Sequence, residues 1–226
     1  MLALKQALSL VSTGNFNTAW TPNDDTSVVA WWQNQVGITS ALGKVTNWAD
    51  SSGNDRDMVQ ASSAEQPDYA EDTGNITFVS ANNENLQTIV QISLADDFTI
   101  GIRCFPTAFS NTLIADNTTT NEFFKFTSSS NLRIKIDGST ANMGLDSGTF
   151  GDDYLVISRD SDVITLWKNG VAQSSTATLA GTTDIDAIGI RKTDVNGFDG
   201  TIKEVQIYSS ASAALTANVN TRLSLL

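Results

Sequence analysis

The chain has 226 residues, 25 of them acidic and 13 basic, for a net charge of −12, with no histidine and one cysteine. This inventory excludes a Ser-His-Asp or Cys-His nucleophile, which needs an imidazole to take the proton, and a closed zinc site, which needs several thiolates or imidazoles. The acidic balance makes nucleic acid a poor partner, because binding there rests on clustered Lys and Arg, and it opposes adsorption to an anionic membrane.

At the N-terminus, Leu2, Leu4, Ala7, Leu8 and Val11 would share one side of a short amphipathic helix, with a strand or helix docked on the domain's own edge as the alternative to an attachment arm, and Lys5 and Gln6 interrupt the apolar run. A signal peptide needs an unbroken apolar core, so none is expected, and no run reaches membrane-spanning length. Residues 1–19 are expected to form an N-terminal arm suited to attachment, and residues 20–226 a single domain. Pro22 with Asp24 and Asp25 marks a turn or one helical turn. Ser27 to Trp32 is an apolar strand, Gly43 to Trp48 leads into the turn cluster Asp50-Ser51-Ser52-Gly53-Asn54, and Asn75 to Val79 forms a strand.

The middle of the chain has the clearest pattern. Phe98, Ile100, Ile102 and Cys104 alternate with Thr99, Gly101 and Arg103; Leu132, Ile134 and Ile136 alternate with Arg133 and Lys135. A period of two marks half-buried strands. Cys104 in this run reads as a buried, inert thiol. Tyr154 to Arg159 and Val163 to Lys168 continue the alternation, and Asn169-Gly170 predicts a type I′ hairpin turn. Ile188 to Arg191 and Thr201 to Tyr208 are expected as further strands. Only at the end does the period change: Ser212 to Leu223 predicts a short helix with Leu215, Val219 and Leu223 on one face. Many short strands with turn-punctuated spacing predict an all-β fold, two antiparallel sheets packed face to face.

Five short stretches sharpen this. Val29-Ala30-Trp31-Trp32 opens the domain. Trp48-Ala49-Asp50-Ser51-Ser52-Gly53-Asn54 and Gln66-Pro67-Asp68-Tyr69 follow. Leu166-Trp167-Lys168-Asn169-Gly170 forms a hairpin, and Phe198 to Tyr208 closes the sheet. In this order they resemble the concanavalin A-like jelly rolls of the laminin-G-like group. The resemblance covers roughly residues 20–226 and implies a jelly-roll sandwich with a short C-terminal helix. Where such domains often carry an Asp-Ala-Ser-Asp-like stretch, this chain has Gln33-Asn34-Gln35-Val36. The fold alone does not fix function.

Glycoside hydrolysis needs two carboxylates set across a cleft, and the retaining enzymes of this fold usually present Glu-x-Asp-x-x-Glu along one strand. Here Glu65, Glu71, Glu84, Glu122 and Glu204 are dispersed, so no catalytic residue is assigned. The resemblance implies a calcium ion at a sheet rim, held by oxygen ligands; Asp116, Asn117, Asp194 and Asn196 are the candidates, with ordinary turn bonding as the alternative. Trp31, Trp32, Trp48, Trp167, Phe123 and Phe124 are candidates for stacking on sugar or for subunit contact, with core packing as the alternative. The adjacent pairs Trp31-Trp32 and Phe123-Phe124 are expected to leave one ring of each exposed. Asp50 and Asn54 are expected to fix their own turn. Because laminin-G-like domains normally act outside a cell and no export signal is seen, the first expectation is a non-catalytic bacteriophage virion protein. It would be made in the host cytoplasm as a capsid decoration, vertex or tail-appendage subunit, oligomeric among other virion proteins. The alternative is a carbohydrate-binding module for cell-surface polysaccharide, and the second alternative a glycoside hydrolase.

Overall fold

The computed structural model describes residues 19–146, 148–192 and 197–226. Most of the expected N-terminal arm, and the candidates Asp194 and Asn196, lie outside the described residues. In chain order the strands are β1 (Val28–Trp32), β2 (Ile38–Ala41), β3 (Lys44–Trp48), β4 (Met58–Val59), β5 (Asp68–Ala70), β6 (Asn75–Phe78), β7 (Leu86–Leu94), β8 (Phe98–Pro106) and β9 (Thr112–Ala115). They continue as β10 (Phe123–Ser128), β11 (Asn131–Ile136), β12 (Ser139–Gly144), β13 (Asp153–Asp160), β14 (Val163–Lys168), β15 (Val171–Ala172), β16 (Ala177–Thr178), β17 (Thr183–Ile188) and β18 (Gly200–Tyr208). A single α-helix among the described residues, α1 (Ala213–Leu223), follows, and short 3-10 turns lie at Pro22–Asp24, before β1, and at Ser80–Asn82, after β6.

The strands make two antiparallel layers. The first runs β14–β13–β8–β18, with β1 and β6 sharing the far side of β18 and β15 and β16 flanking β14. The second runs β4–β7–β17–β9–β10–β11–β12, extended through β3 to β2. A single pairing, Lys44 with Asp68, links β3 to β5 and joins the layers along one edge.

Alternation sorts the side chains. From β8, Phe98, Ile100, Ile102 and Cys104 face the space between the layers, where Phe124 and Phe126 of β10 and Leu132, Ile134 and Ile136 of β11 meet them. The rings of Phe98 and Phe124 cross the core edge to face at 6.2 Å, a favoured geometry for aromatic pairs. Two adjacent positive-φ residues, Asn169 at 51° and Gly170 at 77°, close the β14–β15 hairpin as its Asn-Gly pair requires. The strand expected over Ile188 to Arg191 lies earlier, at Thr183–Ile188. Gly189 ends it with φ of 86°, and a Cβ there would come within 2.7 Å of the Phe78 ring.

Helix α1 covers the outer face of the first layer. Ser212 caps it, its hydroxyl accepting from the Leu215 N–H at 3.0 Å. Leu215, Val219 and Leu223 sit on Tyr154, Val156 and Tyr208 in a second apolar cluster, and full burial of each such side chain stabilises by roughly 1.5–3 kcal/mol. Gly101 permits the approach, because a Cβ on it would lie 2.4 Å from a Val219 methyl.

Candidate functional site

Both members of each aromatic pair are buried, which corrects the expectation of one exposed ring in each. Trp32 and Phe124 lie in the core. Trp31 faces outward but is 5% exposed. Its Nε1 donates to Glu204 at 3.0 Å, and the Arg222 guanidinium from α1 lies 5.4 Å from its ring. Phe123 faces outward on the second layer and is 7% exposed, with the Arg191 guanidinium 5.2 Å from its ring. Alternation therefore holds, but an arginine covers each outward ring. Trp48 is also buried, and its Nε1 donates to the Gln33 carbonyl at 3.0 Å.

Asp116 and Asn117 end β9. Burial draws the Asp116 carboxyl upward, but hydrogen bonds from the hydroxyls and amides of Thr118 and Thr119, at 2.6–3.1 Å, outweigh it and hold the carboxyl below its usual range. The amide of Asn117 donates to Asp186 at 2.6 Å. Burial, and then the neighbouring Asp116 and Asp184, push the Asp186 carboxyl up. Asp116 thus bonds its own turn. Among the described residues no group of three or more His, Cys, Asp or Glu is arranged to hold a metal ion. Asp50 also accepts from its own turn, at the Ser52 and Arg56 amides, and it and Asn54 tie that turn to β1 at Trp31, Val28 and Val29.

The open concavity lies elsewhere, between α1 and the outer face of β13 and β14. It consists of two adjoining cavities of about 410 and about 370 Å³ that share Trp167, Ala213 and Thr216. Trp167 points outward beside Val156, its strand partner, and its ring is half-buried. Ser158, Asp160 and Thr165 line the first cavity, and Asn220 lines the second. The Asn220 amide donates to the Thr216 carbonyl at 2.9 Å, while its buried Oδ1 has no hydrogen-bond partner. Such a buried acceptor is costly unless something donates to it. An aromatic platform with several hydroxyl-bearing residues around it suits a polyhydroxylated ligand. Sequence reasoning named Trp167 but missed Asn220, whose role depends on how α1 docks.

No family model and no curated protein matches the chain. Among solved structures it is similar to domain 4 of a GH43 extracellular arabinanase from Geobacillus stearothermophilus, solved with arabinotriose. The TM-score is 0.60 at 14% identity, covering 86% of this chain and 98% of that domain. It is also similar to the Trypanosoma rangeli sialidase, with TM-score 0.54 at 12% identity. That match covers 88% of this chain but 32% of the sialidase, so the chain spans about a third of that enzyme. At these identities the likeness shows the fold, a jelly-roll-like β-sandwich.

Proposed function

We propose that this chain is a non-catalytic carbohydrate-binding module that seats a saccharide in the groove between α1 and β14. The observation that carries the reading is Trp167, a half-buried ring at the junction of two open cavities, with Ser158, Thr165, Thr216 and Asn220 around it. A sugar ring stacks its apolar face on such a platform and turns its hydroxyls to the walls. Asp160 is the one carboxylate lining the groove among the described residues. Glycoside hydrolysis needs a pair, so binding without cleavage is the chemistry this groove suits. The arabinanase domain, solved with arabinotriose, supports the glycan reading over the virion-subunit reading.

The test is calorimetric titration with a panel of neutral oligosaccharides, arabino-oligosaccharides included, on the wild type and on Trp167→Ala. At least one glycan should bind the wild type, with affinity at least tenfold lower in the variant. Absence of binding across the panel, or equal affinity in the variant, overturns the reading.

A further inference from the structure

The walls of the Trp167 groove carry charge of one sign. Among the described residues, Asp160 is the one charged side chain that lines it, and no Lys or Arg does. The basic residues of β8, β13, β14, β18 and α1 are engaged elsewhere. Arg103 pairs with Asp152 at 3.0 Å, Lys168 with Asp153 at 3.3 Å and Arg222 with Glu204 at 2.9 Å. Arg159 donates to the Leu94, Asp96 and Gly181 carbonyls, and Lys203 donates to the Leu226 oxygen at 3.5 Å. Asp160, at the exposed end of β13, accepts from the Ser161 hydroxyl at 3.0 Å and has no ion-pair partner among the described residues. Ala211, Ser212 and Ala213 line the same cavity, so the positive pole of α1 faces it. That pole offsets about half an elementary charge, and a full carboxylate therefore leaves this end of the groove negative. The α1 wall from Ala213 to Asn220 is about 10 Å long at roughly 1.5 Å per residue, which accommodates more than one sugar ring. A polyuronate carries a carboxylate on every ring, so one of them would be held near Asp160.

We propose that the groove selects neutral polysaccharide over acidic polysaccharide and that Asp160 sets the choice, a selection that rests on the glycan-binding reading of this groove. An acidic sugar entering it gives up water with no cation to replace that water, which is costly, and it meets a like charge. At the intermediate dielectric of a protein surface, repulsion over a few ångströms is strong enough for an effect of about tenfold or more. A neutral sugar meets no such barrier, and its hydroxyls can donate to the carboxylate in a charge-assisted hydrogen bond. Asp160 is thus a specificity-determining contact at the Ser212 end of the groove, with the Trp167 platform serving neutral and acidic rings alike.

The experiment is calorimetric titration with matched pairs: tetrasaccharides of glucan, galactan and mannan, each as the neutral chain and as the uronate made by oxidising its primary hydroxyls. The proteins are the wild type, Asp160→Asn, Asp160→Lys and Trp167→Ala, at low salt and at tenfold higher salt. At low salt at least one neutral chain should bind the wild type at least tenfold more tightly than its uronate. Higher salt should narrow that ratio, because screening shortens the reach of the repulsion. Asp160→Asn should bring the ratio to within about threefold, and Asp160→Lys should turn it in favour of the uronate. A wild-type affinity for the uronate equal to or above that for the neutral chain overturns the proposal. So does a ratio that both Asp160 variants leave unchanged; a lowered melting midpoint alone would then assign Asp160 to the α1 N-terminus. Absence of binding by every pair overturns it as well. If another glycan still binds the wild type and is lost in Trp167→Ala, the groove reading stands and the charge selection alone falls. If no glycan depends on Trp167, both fall.

Discussion

Glu204 shows how one side chain can set the position of several others. It is fully buried. Its two oxygens accept from Trp31 Nε1, the Asn34 amide, Gln206 Nε2 and two nitrogens of Arg222, at 2.8–3.1 Å. Tyr208 extends the chain by donating to Gln206 at 2.7 Å. Replacement Glu204→Gln leaves Arg222 facing a neutral amide in a mostly buried setting, and breaking such a pair costs about 3 kcal/mol; urea unfolding should show that loss. Asp186 presents the opposite case. Its folded pKa is raised, so the fold favours the protonated form, and its contribution is most favourable in acid and is lost as pH rises through the folded pKa. Asp186→Asn should therefore raise the melting midpoint at pH 7, on the order of 2 °C in a domain of this length. It should give no gain at pH 3, where the carboxyl is protonated in both states; calorimetry at the two pH values checks the sign.

At the scale of elements, the docking of α1 hinges on a residue without a side chain. Gly101→Ala would drive a methyl into Val219. Overpacking of this kind typically costs 1–3 kcal/mol, so a loss of about 2 kcal/mol is expected. Amide exchange should accelerate over residues 213–223 while the β8–β13 ladder stays protected. The helix itself was legible in the sequence, from the spacing of Leu215, Val219 and Leu223, and so were strands with one apolar and one polar face, such as β8 and β11. The strands that escaped notice lack that contrast. In β12, Ser-Thr-Ala-Asn-Met-Gly, Met143 is the one large apolar residue, and in β7 the alternation breaks at Ile89, which is 86% exposed. In β17, Asp184 and Asp186 break up the apolar run, so the strand was expected only from Ile188 onward although it spans Thr183–Ile188.

Across the whole molecule, the two-layer architecture was readable from turn spacing, but its working surfaces were not. Exposure depends on what the far end of the chain lays over a strand: Arg222 covers Trp31, and α1 makes one wall of the Trp167 groove. Lys125 did leave a local trace, a charge inside Phe-Phe-Lys-Phe, yet its burial is visible only once β9 and β11 lie beside it. The antiparallel register of β1 on β18, from Val28 opposite Tyr208 to Trp32 opposite Val205, has a mechanical consequence. Tension entering ahead of Val28 and leaving beyond Tyr208 meets this ladder at a single end. Each hydrogen bond then bears the load in turn, as in a zipper, rather than all sharing it as in shear. Under pull the domain would open at low force from β1 inward, parting Trp31 from Glu204, while the longer β8–β18 seam one strand deeper stayed shut.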